Sequence, residues 1–449
     1  MNTWTAQQVI ALAPDAASAS AGQSLSSGSK WQGTGHSGRA IWGLCKGSGK
    51  NPYQTRIDLG EPAFKCSCPS RKFPCKHGLG LLLLFANQPA AFEAGDEPGW
   101  VSEWLDGRQE RTVKKAERAE QQAAEPADPA AQAKRAEKRA QNIEEGIRHC
   151  RLWLDDLARR GLAAAQADAR TEWETTAARM VDAQATGLAN MVRAVLGLMA
   201  SGPGWERRTT DCLGRLYLLL TAGERLDQLP PELADTVRTA LGWATPTKQV
   251  LGQDSVADRW AVLGQAFDED GRVRARRTWL FGRATGRRAL LLDFAPGTRP
   301  FEMSVMPGTE FDAELCFYPG SLAFRATIKS RSDASPLDSS SARAADPTVP
   351  EALAGYAAAL AADPWLRQWP IDLADARPAG RGDRWFVADR DDHTLPLSPG
   401  FTVSSRFWDW LSITGAEPAA LVLEWDGEVA TPIAVRTPSG LAELSAVLA

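Results

Sequence analysis

At 449 residues the chain is longer than one small core supports, so about two to four domains are expected. Its 44% hydrophobic content is that of an ordinary globular protein, and no run reaches the ~18–20 apolar residues of a membrane span. A net charge of -4 and a pI near 5.8 exclude a global attraction to nucleic acid or anionic membrane, so any such contact needs a local patch.

Residues 1–38 read as a short helix and a loop. Thr3-Trp4-Thr5 caps AQQVIALA, Pro14 ends it, and the Ala, Ser and Gly of the next stretch form the loop. The first residues lack the basic start and long apolar run of a secretory signal. A cytoplasmic, reducing setting is therefore expected, in which clustered Cys and His bind metal rather than form disulfides.

Residues 39–105 hold the most informative stretch, FKCSCPSRKFPCKHGLGLLLLFA. Two strand-like runs, Arg39 to Leu44 and Pro52 to Leu59, flank the glycine-rich turn CKGSGKN and lead into Cys66. That turn is not a phosphate loop: Asn51 follows Gly49-Lys50, and Leu44 stands where the first glycine belongs. Cys66, Cys68, Cys75 and His77 form C-x-C-x6-C-x-H. Three thiolates and an imidazole are a closed tetrahedral set for Zn²⁺. Pro69 and Pro74 bracket the returning loop, and a helix apolar on every side begins at Gly78. Gly78 and Gly80 are expected to let the metal loop pack close. Cys45 falls outside the ligand pattern and reads as a buried or spare thiol.

CSCPSRKFPCKH resembles the SWIM zinc finger, whose signature is C-x-C, a variable gap and C-x-H, and the preceding IWGLCKGSGKNPYQTRIDLGEPAFKCSC is similar to bacterial SWIM-finger proteins. The resemblance implies a ββα zinc unit ligated by Cys66, Cys68, Cys75 and His77, and a role in binding DNA or protein. It also suggests AAA-type ATPases and von Willebrand A-like proteins as partners. From the residues themselves, Lys65, Arg71, Lys72 and Lys76 surround the ligands with no acid between Phe64 and His77, and Phe73 offers a ring for a base. The same cations also offset the net -1 that three thiolates and Zn²⁺ carry.

Residues 106–142 are rich in Ala, Glu, Lys and Arg without an apolar stripe and read as a solvated linker broken at Pro126 and Pro129. Residues 143–245 read as α-helical. Ile143, Ile147, Cys150, Leu154 and Leu157 recur at helical spacing; one further helix is expected from Trp173 to Leu198, a third over Asp211 to Leu220 and a fourth starting at Pro230-Pro231-Glu232. His149 and Cys150 are neighbours on different sides of their helix and do not make a catalytic pair.

Residues 246–330 carry short apolar runs split by turns, WAVLGQAF, RRTWLFGR, RRALLLDFA, AELCFYPG and LAFRATIK, and form a β-rich unit. Residues 331–348 are a Ser/Ala/Asp linker. Residues 349–449 begin with a helix and return to strands at DRWFVAD, AALVLEWD and VATPIAV, with a last helical turn near Leu441. Asp258-Arg259-Trp260, Trp279-Leu280, Thr285-Gly286 and ALLLDF recur as Asp383-Arg384-Trp385, Trp410-Leu411, Thr414-Gly415 and ALVLEW, which suggests a duplicated unit; the competing reading is chance likeness between tryptophan-bearing strands. Asp389 to His393, DRDDH, and Asp268 to Gly271 read as polar turns. No nucleophile elbow or H-E-x-x-H occurs.

The fold class expected is thus α+β multidomain: a small ββα zinc finger, a central α-helical domain and a β-rich C-terminal half. The function expected is that of a non-catalytic zinc-binding adaptor for a protein partner, with nucleic-acid binding at the basic patch as the alternative.

Overall fold

The computed structural model describes residues 6–13, 16–47, 51–60, 63–70, 72, 74–108, 110, 129–269, 273–297, 301, 303, 305–337, 346, 348–437 and 440–444. The N-terminal part comprises helices α1 (Ala6–Ala11) and α2 (Ala16–Gln23), strands β1 (Trp31–His36), β2 (Ala40–Cys45), β3 (Tyr53–Asp58) and β4 (Ala63–Cys66), helix α3 (Lys76–Asn87), the short strand β5 (Glu93–Ala94) and helix α4 over residues 99–108. The sheet runs β4-β3-β2-β1-β5. One face receives α3, whose Leu79 and Leu81 to Phe85 are all buried, together with Ile41 and Ile57. The other face receives α4 through Val101, Trp104 and Leu105 on Trp42. Helix α2 replaces the expected loop. It packs on α3 with almost no gap, since a Cβ on Gly22 would lie 2.8 Å from that of Leu79 and one on Gly80 2.6 Å from that of Leu25. Gly80 therefore serves α2, while Gly78 serves the metal strand, where an added Cβ would meet Phe64 at 2.9 Å. The expected Thr3–Thr5 cap and the residues at Gly49 and Lys50 lie outside the described residues.

The central part is a bundle of α5 (Pro129–Arg160), α6 (Leu162–Asp182), α7 (Thr186–Met199), α8 (Trp205–Gly223) and α9 (Pro231–Leu241), followed by the short α10 (Thr247–Leu251). Helix α5 starts within the charged alanine-rich stretch and continues into the bundle, where Ile143, Ile147, Cys150, Leu154 and Leu157 meet Trp173, Leu188, Val195 and Leu216 in one core. The single helix expected from Trp173 to Leu198 is two, because Gln184 turns through the left-handed region at φ 59. Gly187 then lets α7 touch the end of α9: a Cβ there would fall 1.8 Å from the Ala240 carbonyl oxygen.

The next part is built from β6 (Ser255–Glu269), β7 (Val273–Gly282), β8 (Arg288–Pro296), β9 (Thr309–Phe317), β10 (Arg325–Arg331) and the short β11 (Ser335–Pro336). β7 lies antiparallel between β6 and β8, β10 runs parallel to β8 and antiparallel to β9, and β9 closes the circle by pairing antiparallel with the first half of β6. Five strands in the order first-second-third-fifth-fourth make a closed Greek-key barrel with the connectivity of an OB fold. Trp260, Val262, Leu280, Leu291, Phe311 and Leu315 fill it.

The last part comprises α11 (Val349–Ala362), β12 (Trp369–Arg381), β13 (Arg384–Ala388), β14 (Thr394–Pro396), α12 (Pro399–Thr402), α13 (Ser405–Thr414), β15 (Ala419–Trp425), β16 (Ala430–Thr437) and β17 (Gly440–Glu443). Its sheet runs β14-β13-β12-β15-β16-β17. Leu421 and Leu423 face the core under α11 and α13, while Val422 and Glu424 face the barrel. This two-sided burial explains the unbroken apolar run ALVLEW.

The duplication is corrected by these elements. Trp279 lies on strand β7 but Trp410 on helix α13; Asp258 lies within β6 but Asp383 in the turn between β12 and β13. ALLLDF and ALVLEW each lie on a strand, β8 and β15, but a short apolar run is common to strands with buried faces and does not mark a repeat. The residues at Leu441 form β17 and not a helical turn. Strand β12, missed in the sequence because of its prolines and aspartates, is a central strand of its sheet.

Barrel and last sheet are locked together. Ile433 packs so near Gly264 that a Cβ there would lie 2.9 Å from its Cδ1. Buried Glu424 accepts from Arg277 Nε at 2.9 Å and Nη2 at 2.9 Å and from Trp279 Nε1 at 2.6 Å. Removing Glu424 leaves the buried Trp279 indole N–H without an acceptor and half-buried Arg277 with the exposed Asp268 as its remaining carboxylate. Glu424→Ala should lower the free energy of unfolding in urea by about 3–5 kcal/mol, and Glu424→Gln, which keeps an acceptor, by clearly less.

Candidate metal centre

The C-x-C pair is aimed by sheet register. Cys66 ends β4 opposite Thr55 of β3, and the chain is pinned just beyond it by Ser67 N donating to Gln54 O at 3.0 Å and Gln54 N donating to Ser67 Oγ at 2.9 Å. Cys68 follows on the loop. Cys75 is the N-cap of α3 and His77 lies in its first turn. The donor atoms of Cys66, Cys68, Cys75 and His77 all lie within 4.8 Å of one another, with Cys66 Sγ 3.8 Å from His77 Nδ1. A tetrahedral ion with bonds of about 2.0–2.3 Å has donor-to-donor edges of roughly 3.5–3.8 Å, so the set fits one ion with little adjustment.

The electrostatics point the same way. The hydrogen bond from Cys75 holds the Cys66 thiol well below the ordinary thiol range, helped by His77 and Thr55 against the effect of burial. The same bond, then burial, pushes Cys75 up, and burial pushes Cys68 up. Sulfurs this close cannot all ionise unless a cation sits among them. Cys75 and His77 are buried, and Cys66 and Cys68 half-buried.

Several contributors were not legible in the sequence. Buried Thr55 places Oγ1 3.2 Å from Cys66 Sγ, and the Tyr53 ring sits 4.9 Å from that of His77. Arg56, 7% exposed, lies 5.1 Å from the Trp100 ring and 5.6 Å from that of Trp104; burial pulls its guanidinium below the ordinary range, opposed by the negative charge of Cys66. Only the strand register makes these residues neighbours of the site. Cys45 is buried nearby and outside the donor cluster, with burial and then Cys66 pushing its thiol up. Of the predicted basic patch, Lys65, Lys72 and Lys76 are exposed, while Arg71 and Phe73 lie outside the described residues. In the last part of the chain, outside the donor cluster, DRDDH forms a turn around buried Asp389, which accepts from the amides of Val349, Asp391 and His393.

A Cys₃His cluster held between a strand end and a helix start defines a metal-binding finger. Residues 56–85 match the SWIM zinc finger and residues 138–241 match the SWIM-associated four-helix bundle domain. No curated protein and no solved structure matches the chain. No helix among the described residues is long and apolar enough to cross a membrane.

Groups that orient a metal ligand typically contribute about 10–100-fold to affinity. Thr55→Val, which keeps the shape and removes the hydroxyl, should weaken metal binding by about that factor in competition with a chromogenic chelator.

Proposed function

We propose that Cys66, Cys68, Cys75 and His77 hold one structural Zn²⁺ and that the protein acts without catalysis as a protein-binding adaptor. The closed Cys₃His set carries the first half of this reading: four protein donors fill a tetrahedron and leave no position for water or substrate. The ion also joins β4 to α3, around which the N-terminal core is assembled.

The adaptor role draws support from the last part of the chain. Trp408 on α13 is 65% exposed and Val403 85% exposed, and the Phe407 ring links Trp408 at 5.6 Å to Trp385 at 4.8 Å. Grouped exposed aromatics mark a surface for another protein. AAA-type ATPases and von Willebrand A-like proteins are the partner classes the family resemblance suggests. The nucleic-acid reading rests on the exposed Lys65, Lys72 and Lys76 around the finger.

Elemental analysis of the purified protein should give one zinc per chain. Cys68→Ala and His77→Ala should lose it and abolish hydrogen-exchange protection from β2 through α3, because structural zinc binding is coupled to folding. Metal-free wild-type protein with that segment fully protected would refute the zinc assignment.

Trp408→Ala should abolish partner recovery in pull-downs from the native cell, with zinc content unchanged. Recovery that survives Trp408→Ala but disappears with nuclease would move the function to nucleic acid at the finger.

A further inference from the structure

A cavity of ≈ 230 Å³ opens where the bundle, the barrel and the last part of the chain meet. Trp243 lines it from behind α9, Tyr318 and Phe324 from the β9–β10 loop, and Trp365 from behind α11; Arg325 and Asp363 line it with opposite charges. Its place in the barrel is telling. Barrels of this connectivity take ligands on the face of their second and third strands and at the loops joining strands one to two and four to five. Here the last sheet covers much of that face through Glu424, Val422 and Ile433 on Trp279, Leu263 and Leu290. The cavity lies at the remaining edge, beside Leu290 of β8 and the loop between the fourth and fifth strands.

The charges in the cavity are not matched within the protein. Asp363 caps the C-terminal end of α11, its amide donating to Ala359 O at 2.8 Å, so its carboxylate stands at the negative end of the helix dipole. One carboxylate oxygen accepts from Trp365 N at 2.9 Å, and no Lys or Arg among the described residues forms an ion pair with Asp363. Burial pushes the carboxyl above its usual range. Arg325 lies with its guanidinium carbon 4.3 Å from the centre of the Tyr318 ring, and no carboxylate among the described residues pairs with it. A half-buried carboxylate at a helix C-terminus calls for a cation, and a guanidinium held flat on a ring presents its edge to an anion.

Two opposite charges that share one small cavity without reaching each other leave room for a molecule that carries both. The volume is below the ~300–1,000 Å³ of sites for drug-sized ligands and matches a small molecule better than a whole nucleotide or a peptide segment. We propose that this cavity binds a free α-amino acid with an apolar or aromatic side chain, its ammonium on Asp363, its carboxylate on Arg325 and its side chain against Trp243, Trp365 and Phe324. Because the walls come from three parts of the fold, the bound amino acid ties them together and raises the unfolding temperature by mass action.

Calorimetric titration and thermal unfolding of the full-length purified protein test this with L-leucine, L-methionine and L-phenylalanine, against isoamylamine and 4-methylpentanoate, which each lack one charge. At least one amino acid should bind saturably at one per chain and raise the unfolding midpoint. Both single-charge analogues should bind it at least about tenfold more weakly. Asp363→Asn keeps the acceptor for Trp365 N and Arg325→Gln keeps a polar group; each should weaken binding of the amino acid by about tenfold or more at unchanged zinc content and circular dichroism. Absence of binding by all three amino acids at roughly 10 mM would overturn the proposal. So would an analogue that binds as tightly as the amino acid, or an Asp363→Asn protein that binds as the wild type does. Should either variant fold poorly, the analogue comparison on wild-type protein decides alone.

Discussion

The N-terminal part depends on a conflict between packing and charge. The strand end at Cys66 and the helix start at Cys75 and His77 bring three sulfurs and an imidazole within 4.8 Å of one another. Without a cation these sulfurs compete for protons; with one they become the tie that fixes β4 against α3. Everything else in that part follows from the position of α3. Its leucines fill one face of the sheet, Gly80 admits α2 and Gly78 admits Phe64.

A second constraint governs the C-terminal half. A strand of a closed barrel offers one face to the interior and one to the outside. In β7 the inside residue is Leu280 and the outside residue Trp279, and the latter is buried by a different sheet. Glu424 satisfies Trp279 and Arg277 together across that junction. The two β-rich stretches are thus complementary rather than equivalent, a closed barrel and an open sheet that covers it. The covering removes most of the surface on which such barrels ordinarily hold oligonucleotides, and agrees with the acidic balance of the whole chain.

The candidate sites lie in different parts of the fold. The Cys₃His cluster lies between β4 and α3 of the N-terminal part, with Cys75 and His77 buried and Cys66 and Cys68 half-buried. The exposed aromatics of α13 lie on the far face of the last sheet from the barrel, and the small charged cavity lies where the parts join. A change in the cavity acts on the packing between parts, whereas a change at Trp408 acts on the surface alone.

The metal ligands were determined by the sequence because their chemistry is local: C-x-C and C-x-H are short enough for one strand end and one helix turn to aim them. Helix α5 was legible from Ile143 on, where a 3.6-residue period names the buried face without reference to a partner, whereas its first turns, which carry no apolar stripe, read as linker. The barrel strands were visible as apolar runs for the same reason. What the sequence left open is what depends on register and on neighbours distant along the chain. Thr55 and Tyr53 join the metal site only because β3 pairs with β4, and Gln184 breaks a continuous helical pattern because α7 must meet α9. The apparent repeat failed on the same ground. Trp279 and Trp410 are both apolar anchors beside a leucine, and pairwise likeness of that kind is shared by strands and helices. Which residues become a barrel and which become its cover is decided by hydrogen-bond pairing among strands tens of residues apart, a property of the tertiary structure that no local spacing records.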